Sequence, residues 1–188
     1  MTAAPTLALD DDRLILGLGG NLGDEAAVLD RFAGAVRALA AWGPVYASRV
    51  YRTAPVGPAQ PDYLNAALAL TVPEDLAASA LLREVQTVEH ALGRRRTAGE
   101  ERWGPRAIDL DVLLWGSRVL RHAGAPLLVP HPRLTRRRFA LAPVIDLLGP
   151  DVVVPGSPLT LGAALAALVD EPDQRLDLTD HVLPAEPR

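Results

Sequence analysis

Residues 107–115 read Ala107-Ile108-Asp109-Leu110-Asp111-Val112-Leu113-Leu114-Trp115, a short apolar run interrupted by two acids placed two apart. Its length and aliphatic content suit a buried strand. Side chains alternate on a strand, so Asp109 and Asp111 share one face while Ile108, Leu110 and Val112 enter the core from the other. The stretch decides the fold because it closes a series of elements upstream. Leu81, Val85, Val88 and Leu92 mark one helical face ending at Gly93, and Thr71-Val72-Pro73-Glu74 resembles a capping box with proline in the first turn. Before that helix, Leu64 to Val72 and Tyr46 to Thr53 are strand-like, parted by the proline-rich turn at 54–62. Val28, Phe32, Ala35, Leu39 and Trp42 predict a helix from Asp24 to Trp42, stopped by Gly43-Pro44. Arg13 to Leu18 is a buried strand feeding a glycine turn.

Strand, helix, strand, strand, helix, strand is the split βαβ order. It predicts a ferredoxin-like α+β fold, with two helices on one face of a four-stranded antiparallel sheet and the other face free. Additional C-terminal elements follow, with helices expected over Thr135–Leu148 and Leu159–Val169. The 188 residues suit a single domain at 13–170, between a flexible extension at 1–12 and a loose tail at 171–188.

With 49% hydrophobic and 22% charged residues, neither a disordered chain nor a coiled coil fits. The absence of cysteine removes disulfides, zinc-thiolate sites and thiol nucleophiles, and makes the cytoplasm the default compartment. No apolar run is long enough for a membrane span. All 19 basic residues are Arg, so no Walker lysine, Schiff base or lysine general base exists, and anion recognition must rest on guanidinium groups. Net charge is −4, yet the segment from Arg94 to Arg138 carries 11 Arg against four acids. A basic island in an acidic protein suits a compact polyphosphate better than extended nucleic acid.

Two carboxylates in step, about 7 Å apart along the backbone by the strand rise, repel each other unless solvated or neutralised. Hard oxygen donors without thiolates favour Mg²⁺, with substrate phosphates completing its shell. Immediately upstream, Gly93–Arg106 combines five Arg with Trp103 and interspersed glycine. Such a loop can neutralise phosphoryl oxygens, close over a ligand and offer a stacking surface. Tyr63, Asn65 and Phe139 form a set able to hold a flat heterocycle, and His131, lacking metal-ligand spacing to other histidines, suits hydrogen bonding. The Gly17–Asp24 turn lacks the third glycine of a dinucleotide fingerprint, since residue 22 is Leu22, and is read as mainly structural. From the residues alone, the paired acids also suit a solvated edge strand or a DxD nucleotidyl- or glycosyltransferase. The arginine island equally suits a solvated face or an RNA-binding ferredoxin-like module, although overall acidity opposes the last.

Taken together, Leu18–Asp24 (LGGNLGD), Tyr51–Pro55 (YRTAP), Gln60–Ala66 (QPDYLNA), Arg102–Asp111 (RWGPRAIDLD) and Val129–Leu134 (VPHPRL) resemble the 6-hydroxymethyl-7,8-dihydropterin pyrophosphokinases of folate biosynthesis. The match runs in order from Leu14 to Leu148, and its most specific part is the segment ending in Asp109 and Asp111. The chain is expected to act as a monomer that binds neither nucleic acid nor membrane, and the resemblance implies a ferredoxin-like enzyme that uses ATP and two Mg²⁺ ions. It transfers the β,γ-diphosphate of ATP to the pterin hydroxymethyl oxygen and releases AMP. By the same resemblance Asp109 and Asp111 hold the metals, and Arg94, Arg96 and Arg106 bind the phosphate chain, with Arg94 and Arg106 joining the two acids in catalysis. His131 and Arg137 also contact nucleotide, Gln86 and Glu89 approach it from a helix end, and Val112 lines the adenine side. The pterin lies between Tyr63 and Phe139, bonded to Asn65 and the backbone of Thr53, Pro55 and Val56, and covered by Trp103. Gly20 stands where the family usually has Ser, and the loop from Arg94 to Trp103 is longer than in compact members.

Overall fold

The apolar run after residue 12 forms β1 (Arg13–Gly20), a central strand hydrogen-bonded antiparallel on both sides. The computed structural model describes residues 6–55, 59–95, 104–121, 127–168 and 174–186. After β1, Asp24 caps α1 (Glu25–Leu39) by accepting the Ala27 N–H at 2.8 Å. Glu25 in the first turn and Arg37 in the last suit the helix dipole. Then come β2 (Val45–Ala47), β3 (Tyr51–Thr53), β4 (Tyr63–Thr71), α2 (Ala78–Ala91) and β5 (Asp109–Trp115). A 3-10 turn at Leu134–Arg136 leads into α3 (Arg138–Leu148), followed by α4 (Leu161–Ala166) and β6 (Leu176–Leu178).

The sheet runs β5-β1-β4-β3-β6, β2 also pairs with β4, and these ladders are antiparallel. With β2 and β3 taken as one interrupted strand, the order of the first five strands is compatible with the ferredoxin-like α+β reading, and β6 extends it. One face is closed by α1 and α2: Leu14, Leu16 and Leu18 of β1 and Leu110 and Val112 of β5 pack there with Phe32, Leu81 and Val85. Residues one step out of phase, Ile15, Ala67, Ala69 and Leu113, pack against α3 and α4 on the other face. The face expected to be free is thus half covered, because the helices after β5 are apolar and have nowhere else to bury. A register shift of β5 against β1 at Ile15/Leu16 puts Leu113 and Leu114 together on that second face.

Four further expectations change. The Tyr46–Thr53 strand is broken at Ser48, whose hydroxyl accepts the Ala67 N–H at 2.8 Å in place of a ladder carbonyl. This irregularity turns Arg49 toward α3, where its guanidinium meets Asp146 at 2.5 Å. The capping box does not form: Thr71 still pairs with Arg13 and Val72 donates to the Asp12 carbonyl, so the helix starts at Ala78 with no side-chain cap. Finally, the supposed loose tail supplies β6, which pairs with β3, and buries Leu183 against the first core; Glu186 donates its N–H to the Val45 carbonyl. An edge strand with unpaired backbone groups offered the tail hydrogen bonds that its composition does not reveal. The described part of the N-terminal extension, from residue 6, is likewise tied down, with the Leu7 N–H donating to the Leu147 carbonyl.

Candidate active site

Where α3 and α4 leave the second face uncovered, a cleft of about 240 Å³ opens over the centre of the sheet. Its floor is β1, where Gly17 pairs with Asp111 and Gly19 with Asp109 across the ladder. Glycine at these two positions matters for space. A Cβ on Gly17 would lie 3.0 Å from Leu113 Cδ1, and one on Gly19 would lie 3.3 Å from Asn65 Oδ1. Alternating glycines on the strand face shared by the two acids are the sequence signal for this floor; they were read only as part of a turn.

Asp109 and Asp111 do share one face, as the alternation required, with Ile108, Leu110 and Val112 in the core behind them. Burial and then the neighbouring Asp109 charge push the Asp111 carboxyl above its ordinary pKa, against the opposing pull of His131, Arg137 and Arg106. Arg106 pairs with Asp109 from one side, and Arg94 Nε stands 3.9 Å from the other Asp109 oxygen. Burial works against the Arg106 charge, but Asp109 outweighs it and keeps the guanidinium firmly protonated.

His131 is held beside β5 by its N–H to the Leu113 carbonyl at 2.9 Å. Its Nδ1 accepts the Arg133 N–H at 3.2 Å, which leaves Nε2 to carry the proton in the neutral ring. Burial lowers the His131 pKa more than Asp111 raises it, so the neutral ring is favoured. Across the cleft, Asn65 donates its amide to Thr53 Oγ1 at 2.8 Å, and this fixes which end of the amide is the acceptor, Oδ1. Tyr63 donates to the Gly104 carbonyl at 3.2 Å, and Phe139 projects from the start of α3 with the Arg137 guanidinium 5.2 Å above its ring.

The structure therefore brings Thr53, Tyr63, Asn65, Arg106, Asp109, Asp111, His131, Arg137 and Phe139 to one cleft. Arg94 stands just behind Asp109. Pro55, Gln86, Glu89 and Val112 lie outside the lining. Gln86 is exposed on α2, and Val112 is buried in the opposite core. Glu89 is buried and accepts the Leu110 N–H at 2.8 Å, so it anchors the strand residue between the two acids to α2. Val56, Arg96 and Trp103 lie outside the described residues. Sequence reasoning missed Asn21, which is buried outside the cleft lining. Its Oδ1 accepts the Arg106 N–H at 2.9 Å while its Nδ2 donates to Gln60 and Pro61 at 3.0 Å, joining two loops that flank the site.

Residues 15–149 match the family model for 7,8-dihydro-6-hydroxymethylpterin-pyrophosphokinase (HPPK). A 2-amino-4-hydroxy-6-hydroxymethyldihydropteridine pyrophosphokinase of Methylorubrum extorquens is 42% identical over 161 residues, covering 83% of this chain and 93% of that one. A protein of the same name from Synechocystis sp. is 37% identical over 162 residues, covering 85% and 75%. Among solved structures, the wild-type HPPK-DHPS of Plasmodium falciparum superposes with a TM-score of 0.63 at 12% identity. That match covers 85% of this chain and 45% of the other, so this chain spans less than half of that molecule, and the likeness shows the fold.

Proposed function

The chain belongs to the 7,8-dihydro-6-hydroxymethylpterin-pyrophosphokinase family, whose members transfer diphosphate from ATP in folate biosynthesis, and from that premise we propose how its own cleft divides the work. The protein is an ATP-dependent pyrophosphokinase. Its pterin lies between Tyr63 and Phe139, with the Asn65 Oδ1 accepting from the ring. The ATP phosphates lie over Asp109, Asp111 and the arginines. The observation that carries this reading is the pair of acids facing two glycines on the cleft floor, next to an amide whose orientation Thr53 has fixed.

The donor set fits Mg²⁺. The two carboxylates offer only oxygen, burial and the neighbouring Asp109 charge oppose ionisation of Asp111 until a cation is bound, and among the described residues no cluster of three or more His, Cys, Asp or Glu competes as a transition-metal site. Asp109 and Asp111 would hold two ions; bound there, the ions supply charge neutralisation on the phosphates and lower the pKa of the attacking hydroxyl. The chain's own groups do the rest. Arg106 and Arg94, with Arg96, neutralise the phosphate chain; His131 donates from Nε2 to the nucleotide; Arg137 bridges the nucleotide side and the Phe139 ring. The hydroxymethyl group releases its proton to solvent as its oxygen bonds to the β-phosphorus, the bond from that phosphorus to the α,β-bridging oxygen breaks, and AMP leaves with that oxygen and the electron pair. Holding the two reactants in line is the main contribution, since phosphoryl-type transfer leaves little covalent work for side chains.

Pro55 and Val56 supply backbone contacts to the pterin and Trp103 covers it, whereas Gln86, Glu89 and Val112, outside the cleft lining, border the nucleotide only where it reaches past the outer edge of β5. The enzyme acts as a cytoplasmic monomer on small molecules, binding neither nucleic acid nor membrane; no described helix is long and apolar enough to cross a bilayer. Incubation with ATP, Mg²⁺ and 6-hydroxymethyl-7,8-dihydropterin should yield AMP and the pterin diphosphate. ADP as the nucleotide product overturns the diphosphate transfer. Metal titration of turnover should show a dependence steeper than first order if two ions act.

A further inference from the structure

Arg137 is an extended residue, with φ −137° and ψ 112°, set between the 3-10 turn at Leu134–Arg136 and the first residue of α3. The position is pivotal for the cleft. Arg137 sends its guanidinium into the cleft, and Phe139, two residues on, forms the wall facing Asn65. A rotation of the backbone at residue 137 would displace both side chains together.

Local bonds hold Arg137 itself, whose N–H donates to the Leu134 carbonyl at 3.4 Å and whose carbonyl accepts from Ala140 and Leu141, but they leave the peptide groups on either side to be held from elsewhere. Arg137 occupies the N-cap position and makes no side-chain cap bond, whereas α1 and α4 are capped by Asp24 and Thr160. A helix start leaves N–H groups without intrahelical partners. Here the partner comes from the C-terminal segment. Gln174 Oε1 accepts the Arg138 N–H at 2.7 Å, and Gln174 Nε2 donates to the Arg136 carbonyl at 3.3 Å. One amide thus engages both peptide groups flanking Arg137, much as a neighbouring strand pairs with an extended residue. The Gln174 carbonyl takes a further bond from Arg138 Nη1 at 3.2 Å.

The same segment also reaches the opposite wall. Leu176 pairs with Thr53 in the β6–β3 ladder, and the Thr53 hydroxyl orients the Asn65 amide. Arg175, between them, pairs with Asp62 at the approach to β4. The chain from Gln174 to Leu176 therefore connects the residues that hold one side of the cleft to those that hold the other.

We propose that Gln174 is a positioning residue for diphosphate transfer: by bracketing the Arg137 backbone it sets Arg137 and Phe139 at the separation from Asn65 that the pterin requires. The inference rests on the cleft reading given above. Gln174 touches neither substrate in that reading and acts only through α3. Its effect falls on the pterin wall through Phe139 and on the nucleotide side through Arg137, while Asp109 and Asp111, on the far side of β1 from β4, are untouched.

The test compares full-length Gln174→Met and Gln174→Glu with the parent protein, measuring steady-state AMP release with ATP, Mg²⁺ and the hydroxymethyl dihydropterin. Methionine keeps the length of the side chain and removes both amide bonds. Glutamate keeps the acceptor for the Arg138 N–H at a helix N-terminus, where its charge is favoured. Gln174→Met should raise the KM for the pterin roughly five- to tenfold, the effect of losing about one net hydrogen bond or slightly more. Its kcat should change by less than about twofold, because the reacting groups are not displaced. Gln174→Glu should recover most of the loss. A merely structural brace would lower the melting midpoint and leave the KM of the folded enzyme alone. An unchanged pterin KM in Gln174→Met, or equal KM values in the two variants, overturns the proposal. Asp111→Asn in the same assay keeps the two readings apart. Retained turnover there overturns the cleft assignment itself, whereas lost turnover there with an unchanged KM in Gln174→Met overturns only the role of Gln174.

Discussion

The two faces of the sheet are built from the same strands and have opposite characters. On the face covered by α1 and α2, successive inward residues of β1 are Leu14, Leu16 and Leu18, and those of β4 are Leu64, Ala66, Leu68 and Leu70. One step out of phase, β1 presents Ile15, Gly17 and Gly19, and β4 presents Tyr63, Asn65, Ala67 and Ala69. The second face is aliphatic only where α3 and α4 cover it. Toward the other end of the strands the side chains shrink to glycine or become polar, and the cleft begins there. Pleating lets one set of strands serve a sealed core and a wet site at once, provided each strand keeps its phase. Removing atoms from the first face should cost stability, and changing charge on the second should cost turnover.

The largest separation of these effects is expected at Asp111. Asp111→Asn should reduce the rate by roughly a thousandfold or more, because one of the two metal-holding carboxylates is lost. The fold should not suffer. The Asp111 pKa is raised by burial and by Asp109, so in the metal-free protein its charge opposes folding at pH values above the unfolded carboxylate range of about 3.9. Stability from this group is lost as pH rises through that window, and Asn at this position should leave the melting midpoint equal or higher at pH 7. A variant that melts well below the parent would break the contrast between the faces. The mirror experiment is Phe32→Ala in the sealed core. It should cost about 3–5 kcal/mol in denaturant unfolding while kcat of the folded fraction stays near the parent value.

How much of this division was legible in the sequence follows from the range of each signal. The phase of β5 was readable because alternation is local, and it placed Asp109 and Asp111 on the open face and Val112 on the sealed one. The first helix was equally plain from its apolar stripe, although the stripe runs on to Trp42 while the α-helix stops at Leu39 and tightens into a 3-10 turn, and Asp24 caps it rather than joining its first turn. Long-range bonds were not readable. Nothing near Ser48 announces that its hydroxyl will replace a carbonyl for Ala67, and nothing near Asn21 reveals its bonds to Arg106 and Pro61. The strand at Leu176–Leu178 was hidden because its partner edge exists only once β3 is in place. The site residues gathered in the cleft could be named from the resemblance, yet the glycine floor needed the ladder register to become visible.

That floor gives a sharper probe of the open face. Gly19→Ala places a methyl group 3.3 Å from Asn65 Oδ1, tight enough that the amide must shift. Asn65 is tied to Thr53 through Nδ2, so the shift should turn the acceptor away from the pterin. We expect the pterin KM to rise by a few-fold, on the scale of one weakened hydrogen bond, with little change in the KM for ATP. An equal rise in both constants would mean that β1 itself had moved and that the floor is not shared in the way the register suggests.

The smallest effect is expected at the sheet edge where the faces meet. Glu25, in the first turn of α1, bonds to His181 of the C-terminal segment and to Arg52 of β3. The hydrogen bond from His181 does most to hold the Glu25 carboxyl below its ordinary pKa, with Arg52 adding to it and burial opposing it. A carboxylate with a lowered folded-state pKa stabilises the protein above its unfolded pKa, about 4.3 for Glu, and this contribution disappears as pH falls through the folded value. Glu25→Gln should therefore lower the melting midpoint at pH 7 by only about 1 °C, since the pair is half exposed and screened by solvent. At a pH below the folded pKa the variant and the parent should melt together. A gap that persists in acid would assign the contribution to packing at the edge, and would remove the electrostatic tie between the C-terminal segment and the helix that seals the first face.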